Sequence, residues 1–363
     1  GAPDHQGRGG GIGCRNGASP FIVNSIIAGN VALGWQESES YTPGHGGGLY
    51  CRENSSPTIT NCTIADNANY FETSAAGEEG AGIFLRDNSA PIATNVILWG
   101  NIPLQISSDG AQANVSFSDV QGGYAGTENL DNDPQFIGGG VYHLTADSPC
   151  IDTGTATGAP GDDIDGESRP QMTGYDIGAD EYTQIFSDVA PGYWADKYVR
   201  ALFYSGITKG CGGSNYCPGE PVTRAQMAVF IVRGKEGENF TSSSDPYFSD
   251  VASNYWAFKY IQRLKELGIT TGYSDGSYGP EDLVTRDQMA TFLVRAIEGS
   301  DPAYSPNPYF FDVTADYWAF GYIQRLKELG VTTGCTASEY CPAELVTRDQ
   351  MAAFLSRAFL DIQ

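Results

Sequence analysis

The chain has 363 residues, 40% of them hydrophobic and 18% charged, with a formal net charge of −24. That length supports two or three folded domains, and no apolar run approaches the roughly 20 residues of a membrane-spanning helix. So acidic a chain repels nucleic acid and anionic lipid, which argues against DNA, RNA and membrane surfaces as partners. The charge is uneven: residues 1–183 hold 23 acids, five arginines and no lysine, whereas residues 184–363 hold 21 acids and 15 bases. Gly1 to Gly13 contain no charged-then-apolar leader, so an export signal is expected to lie upstream or to have been removed.

Residues 1–101 contain a loose repeat. Gly11-Ile12-Gly13-Cys14 leads to Ser19-Pro20-Phe21-Ile22-Val23-Asn24 and Asn30. Gly48-Leu49-Tyr50-Cys51 leads to Ser56-Pro57-Thr58-Ile59-Thr60-Asn61 and Asn67, and Gly82-Ile83-Phe84-Leu85 to Ala90-Pro91-Ile92-Ala93-Thr94-Asn95 and Asn101. Short β-branched segments with Gly and Asn corners predict a solenoid of stacked strands. Ile12, Leu49 and Ile83 form one interior ladder, and Ile27, Ile64 and Leu98 another. Asn24, Asn61 and Asn95 stack so that each amide bonds the rungs above and below. Cys14 and Cys51 fall on equivalent rungs, about 4.8 Å apart if adjacent, where a disulfide and buried free thiols are both open; Cys62 and Cys150 have no assignable partner.

These rungs resemble the right-handed parallel β-helix family, and residues 140–183, with Ser148-Pro149-Cys150-Ile151-Asp152 and Asp176-Ile177-Gly178-Ala179-Asp180-Glu181-Tyr182, resemble the closing segment of such surface proteins. The β-helix superfamily includes polysaccharide lyases and hydrolases. Against a lyase, the half has no lysine and its arginines, Arg8, Arg15, Arg52, Arg86 and Arg169, are scattered. Arg15 and Arg52 stack at equivalent positions, which reads as a solvated face. Asp162-Asp163-Ile164-Asp165-Gly166-Glu167 reads as a surface turn or as a weak Ca²⁺ loop with Asp163 and Asp165 as ligands; Gly174 stands where an EF-hand's final Glu would be. No other cofactor is called for. His5, His45 and His143 fit no metal or triad spacing. The glycine-rich strand from Gly9 to Cys14 begins almost at the first residue, so an uncapped solenoid end is expected, inviting head-to-tail self-association into a filament or layer.

The second half repeats strictly. Asp188, Asp250 and Asp312 lie 62 residues apart, as do Trp194, Trp256 and Trp318, and Arg224, Arg286 and Arg348. They sit in Phe186-Ser187-Asp188-Val189, Phe248-Ser249-Asp250-Val251 and Phe311-Asp312-Val313. Each unit predicts helix, turn, helix. Trp256, Tyr260, Leu264 and Leu267 share a face of the first helix, matched by Trp194, Tyr198 and Leu202. That helix ends at Gly206, Gly268 or Gly330. The second opens with Thr223-Arg224-Ala225-Gln226, Thr285-Arg286-Asp287-Gln288 or Thr347-Arg348-Asp349-Gln350, each a capping box. Met227, Phe230 and Ile231 and their counterparts give the buried stripe. Cys211 and Cys217 flank one turn and Cys335 and Cys341 another, while unit two has Tyr273 and Gly279. Because both members appear or vanish together, they predict two disulfides, with zinc the weaker reading.

These units resemble the S-layer homology (SLH) family. The whole chain then reads as a multidomain protein: an all-β solenoid, a right-handed parallel β-helix, over 1–183, then SLH repeats over 186–234, 247–297 and 309–360 forming one α-helical bundle. The resemblance implies an extracellular cell-surface protein whose inter-repeat grooves bind anionic, often pyruvylated, envelope polysaccharide. It implies contacts from the three arginines, tryptophans and aspartates named above. An arginine at a helix start is electrostatically disfavoured by about 0.3 to 1 kcal/mol. Two partners could offset that: Asp188, Asp250 and Asp312 within the protein, or an anionic ligand. The family's Glu is here Gln226, Gln288 and Gln350. Two functions follow: a non-catalytic structural or adhesive surface protein, and an anchored carbohydrate-active enzyme.

Overall fold

The computed structural model describes residues 10–33, 35–37, 40–42, 44–70, 80, 82–300 and 302–363. His5, Arg8 and Gly9 lie outside them. The chain forms two compact units, residues 1–136 with 142–183, and residues 184–363 with the short segment 137–141.

In the first unit, short parallel strands stack in register. Residues 12–14, 49–51, 83–86 and 106–109 form one sheet, and residues 21–23, 58–65, 92–99 and 114–116 run through a second. Ile12 pairs with Leu49 and Leu49 with Ile83; Ile27 pairs with Ile64 and Ile64 with Leu98. Both expected ladders are present, and the second continues through Val120. Leu49, Ile64, Ile83 and Leu98 are fully buried, so each rung is held by the hydrophobic surface of the next. The glycine runs have a steric cause. A Cβ on Gly48 would lie 2.7 Å from the carbonyl oxygen of Gly82 on the next rung and 2.9 Å from Ile64.

The asparagine ladder differs from expectation. Asn95 donates to Asn61 at 3.1 Å, but Asn24 donates to the carbonyl of Asp162 at 2.6 Å and Asn61 to that of Asp176 at 3.1 Å. All three have positive φ, 45°, 47° and 54°, so their position is a left-handed corner that asparagine tolerates, and their amides clamp the closing segment. The continuous ladder is Asn30, Asn67 and Asn101, whose amides link at 2.9 and 2.8 Å. Cys14 and Cys51 pair in register as free buried thiols, and Cys62 and Cys150 are also free and buried.

The described residues of the second unit form six helices: α1 (Asp196–Tyr204), α2 (Arg224–Glu236), α3 (Phe258–Glu266), α4 (Arg286–Glu298), α5 (Phe320–Glu328) and α6 (Arg348–Phe359). The first helix of each repeat packs on the second helix of the repeat before it, α3 on α2, α5 on α4, and α1 on α6. The extended residues preceding α2, α4 and α6 meet at a pseudo-threefold axis. Val284 N donates to Val222 O, Val346 N to Val284 O and Val222 N to Val346 O, each at 2.9 Å. Gly206, Gly268 and Gly330 end the first helices at φ 72°, 71° and 73°. Met227, Phe230, Ile231 and their counterparts are buried, as are Tyr198, Leu202, Tyr260 and Leu264. The bridges Cys211–Cys217 and Cys335–Cys341 are formed.

Two details correct the sequence reading. Only α2 has the full capping box; in α4 and α6 the Thr hydroxyl donates to Asp287 or Asp349, whose carboxylate accepts the N–H of Gln288 or Gln350 at 2.7 Å. A carboxylate two residues past the cap reaches those orphan donors sooner than a glutamine amide can. In unit three the buried counterpart of Phe248 is Phe310, 1% exposed, whereas Phe311 is 68% exposed.

Candidate functional site

The arginine that opens each second helix turns inward. Arg224, Arg286 and Arg348 are buried. Each donates its Nε to the carbonyl of a tyrosine in the next repeat around the ring: Arg224 to Tyr278, Arg286 to Tyr340 and Arg348 to Tyr216, all at 2.7 Å. The tyrosine hydroxyl donates back to that arginine's own carbonyl at 2.9, 2.7 and 2.8 Å. The guanidinium carbon lies 4.6, 4.8 and 4.8 Å from the centroid of that tyrosine ring. Phe292, Phe354 and Phe230 lie under the same three cations at 5.3, 5.5 and 5.5 Å, so cation–π attraction supplements the hydrogen bond. Burial pushes the three phenols above their ordinary range, which keeps them protonated donors.

The expectation that Asp188, Asp250 and Asp312 neutralise these arginines is corrected. Each spans two consecutive backbone N–H groups instead: Asp188 those of Tyr216 and Cys217, Asp250 those of Tyr278 and Gly279, Asp312 those of Tyr340 and Cys341, at 2.7 to 2.8 Å. Cys217, Gly279 and Cys341 have φ of 60°, 66° and 56°. A carboxylate is the side chain that can accept both amides of such a bent turn at once. The aspartates thus shape the turn, and the turn presents the carbonyl that takes the arginine.

The tryptophans are also displaced from expectation. Trp194, Trp256 and Trp318 lie two residues before α1, α3 and α5 and are 53%, 60% and 59% exposed. None belongs to the core, and Trp194 and Trp318 stand on grooves. One groove, about 250 Å³, is lined by Arg224, Arg295, Gln288, Tyr273 and Trp318; a second, about 360 Å³, by Arg286, Arg357, Gln350, Glu344 and Trp194. Each therefore draws its arginine pair from two repeats and its indole from the third. Trp318 is held by Asp287, which accepts its Nε1 at 3.2 Å and the Tyr317 hydroxyl at 2.5 Å. Gln288 Oε1, Gln350 Oε1 and Arg286 Nη2 are buried with no hydrogen-bond partner among the described residues.

The equivalent third set is Arg348, Arg233, Gln226 and Trp256. Here Gln226 is taken up by the capping box, and Arg233 carries Glu238 at 2.7 Å. Glu238 also accepts the Tyr260 hydroxyl at 2.6 Å and Lys259 at 3.3 Å. Burial alone would raise its carboxyl, but Tyr260, Arg233 and Lys259 outweigh that and hold it below the usual range. At the positions 62 and 124 residues on stand Ser300 and Ile362, which carry no charge. The sequence reading missed Arg295, Arg357 and the tyrosines, although Arg233, Arg295 and Arg357, and Tyr216, Tyr278 and Tyr340, recur at the 62-residue interval.

In the first unit, Asp163 is buried, its Oδ1 accepting the N–H groups of Asp165 and Glu167 and its Oδ2 that of Glu181. Asp165 faces His143 instead. Arg169 is buried on Glu181 at 2.8 Å. A cleft of about 300 Å³ is lined by Gly13, Cys14, Arg15, Tyr50 and Arg52. No described helix is long and apolar enough to cross a membrane.

Comparison with known proteins agrees with both architectures. Residues 185–228, 247–290 and 310–352 match the S-layer homology domain, and residues 5–120 match the right handed beta helix region. An endoglucanase of Bacillus sp. (strain KSM-635) is 33% identical over 175 residues, 47% of this chain and 18% of that protein. Cell surface glycoprotein 1 of Acetivibrio thermocellus is 30% identical over 161 residues, 40% of this chain and 7% of its own length. S-layer protein EA1 of Bacillus anthracis is 29% identical over 174 residues, 47% of this chain and 20% of that one. The chain thus spans 20% or less of each of these three relatives.

Proposed function

We propose, for a chain that carries three S-layer homology domains after a right-handed β-helix region and so lies outside the cell at its surface, that the helical unit tethers it to anionic envelope polysaccharide. The observation that carries this reading is the pairing, in two grooves, of a buried arginine with a second arginine and an exposed tryptophan. Two guanidinium groups over one cleft suit a sugar-borne carboxylate or phosphate. An exposed indole beside them gives the apolar face of a sugar ring a surface to stack on. The partnerless Oε1 of Gln288 and Gln350 suits a sugar hydroxyl as donor.

Changing Arg224, Arg286 or Arg348 would test folding rather than binding, because their Nε groups close the ring. The sharper variant is Arg295→Gln combined with Arg357→Gln. Its binding to purified wall sacculi is expected to weaken about tenfold or more, by loss of one charge-assisted contact in each groove, with the fold kept by circular dichroism and a lowered thermal transition from the lost bonds of Arg295 to Tyr322 and Arg357 to Tyr198. Unchanged binding by this variant would remove the grooves as the tether.

The solenoid is proposed to be non-catalytic. Among the described residues its cleft is lined by Arg15 and Arg52, and Glu53 beside it is paired with Arg52 at 3.1 Å, which argues against a facing pair of free carboxylates for glycoside hydrolysis. Phe21, Val23, Val31 and Leu33 are exposed on the first described rung, and this apolar edge supports head-to-tail self-association. Sedimentation of monomers alone at high concentration would dismiss that assembly.

A further inference from the structure

We infer, resting on the tether reading above, that the third groove of the helical unit is a latent polymer site, held shut by the chain's own carboxylate at Glu238. The groove that pairs Arg348 with Arg233 and Trp256 is built from the same repeat positions as the two open ones. Thr271 and Thr333 line those two, and Lys209 stands at the equivalent position of the third. Glu238 Oε1 lies 2.7 Å from Arg233 Nε and 3.9 Å from Lys209 Nζ. It therefore sits where the open grooves offer their second arginine to an envelope anion. Its Oε2 accepts the Tyr260 hydroxyl at 2.6 Å and lies 3.3 Å from Lys259 Nζ.

The local backbone explains how a single residue does this. Gly237 and Gly299 follow α2 and α4 at φ 72° and 98°, and Asp361 occupies the same place after α6 at φ 54°. The left-handed turn is common to all three repeats, and what differs is the next side chain: Glu238, Ser300 or Ile362. Of the three, only the carboxylate can accept from a guanidinium, a phenol and an ammonium group together. In repeat two, Arg295 Nε goes directly to the Tyr322 hydroxyl at 3.1 Å. In repeat one, Glu238 takes both the Nε of Arg233 and the hydroxyl of Tyr260.

Two observations make Glu238 a displaceable plug and the groove a site that is still built. Arg348 is 3% exposed, and its Nη2 has no hydrogen-bond partner among the described residues, as is true of Arg286 Nη2 in an open groove. A buried cationic donor left unsatisfied favours an anionic ligand. The plug itself is loosely held: the side chain of Glu238 is 38% exposed and that of Lys209 74% exposed, and ion pairs so open to solvent contribute little. A polymer that repeats its anion along the chain, once seated in the two open grooves, competes with Glu238 at high effective concentration. The third groove is thus a reserve contact, recruited under polymer load.

The test is calorimetric titration of the full chain with oligosaccharide a few sugars long, released from purified wall sacculi and too short to bridge grooves. The wild-type chain is expected to bind two equivalents, and Glu238→Ser, which installs the residue of repeat two, three. Glu238→Gln keeps an acceptor for the Tyr260 hydroxyl without the charge; it should also bind three, and it replaces Glu238→Ser should that variant lose the fold by circular dichroism. In the background of Arg295→Gln and Arg357→Gln, whose open grooves are weakened about tenfold or more, adding Glu238→Ser should restore a single equivalent. The inference is overturned when neither Glu238 variant binds more equivalents than the wild-type chain. No uptake by any of these chains would remove the tether reading itself, and this inference with it.

Discussion

The two halves of this chain both build from repeats, but they relate them by different operations. In the solenoid each repeat is translated, so a side chain meets its own counterpart: Ile64 lies between Ile27 and Leu98, and Asn67 bonds Asn30 and Asn101. In the helical unit each repeat is rotated, so an arginine meets a tyrosine of the next repeat and the last meets the first, Arg348 on Tyr216. Translation favours residues that pack on copies of themselves, apolar ones and amides; like charges stacked at one rung spacing would repel. Rotation removes that constraint. It allows three cations per ring, and it generates clefts between repeats where a cation can face outward.

Rotation also makes the helical unit a closed cooperative ring, and its arginines are where that can be broken. Arg286→Met keeps the volume of the side chain but loses the Nε bond to Tyr340 and the cation–π contacts with Tyr340 and Phe354. The expected loss is about 3 kcal/mol, from one charge-assisted hydrogen bond and a desolvated cation–π contact. Hydrogen exchange should show weakened protection at all three inter-repeat strands, including the Val222–Val346 contact away from the substitution. Protection lost only around Tyr340 would mean the ring is a geometric closure without energetic coupling, and the contrast with the solenoid would shrink to one of shape.

Much of this was legible in the sequence because neighbours in space were neighbours in the repeat. Ile12, Leu49 and Ile83 stack where their spacing says. The bridges Cys211–Cys217 and Cys335–Cys341 join residues six apart, and Gly206, Gly268 and Gly330 adopt the left-handed conformation that ends a helix. What escaped was set by closure. The carbonyl partner of Arg224 lies 54 residues on, and that of Arg348 lies 132 residues back; helical periodicity carries no information about either. Periodicity also placed Trp256 on a buried helical face, whereas the helix begins at Phe258 and the indole points outward. His143 looked isolated because Asp165 and Asp180 reach it only after the closing segment folds back, 22 and 37 residues later. Of the two asparagines per rung the sequence reading chose the wrong one for the ladder: the left-handed corner at Asn24, Asn61 and Asn95 turns their amides to the closing segment, and the ladder runs through Asn30, Asn67 and Asn101.

The same contrast predicts opposite responses to pH. In the solenoid, burial pushes the Asp176 carboxyl up to about 7, with Glu181 and Asp180 adding to the shift against hydrogen bonds from Asp152 and Tyr182. Burial raises Asp119 to about 6, opposed by bonds from Asn132 and Cys150 and assisted by Asp131 and Asp133. A carboxylate whose folded pKa is raised contributes stability that is fully present below its unfolded pKa of about 3.9 and is lost as pH rises through the folded value. In the helical unit, Glu236 and Glu298 are instead held below the usual range, chiefly by the hydrogen bonds of Arg263 and Arg325. Their contribution is present above the unfolded pKa and is lost only as pH falls through the lower folded one. Moving from about pH 7.5 to about pH 5.5 is therefore expected to stabilise the solenoid by about 2 to 3 kcal/mol, mostly through Asp176, and to leave the helical unit almost unchanged. Two thermal transitions followed in EDTA should separate on acidification, and Asp176→Asn should abolish most of the solenoid's shift. A solenoid transition that falls between those two pH values would show that the backbone amides of Asp152 and Tyr182, 2.8 and 2.7 Å from the Asp176 oxygens, outweigh its burial and keep it ionised.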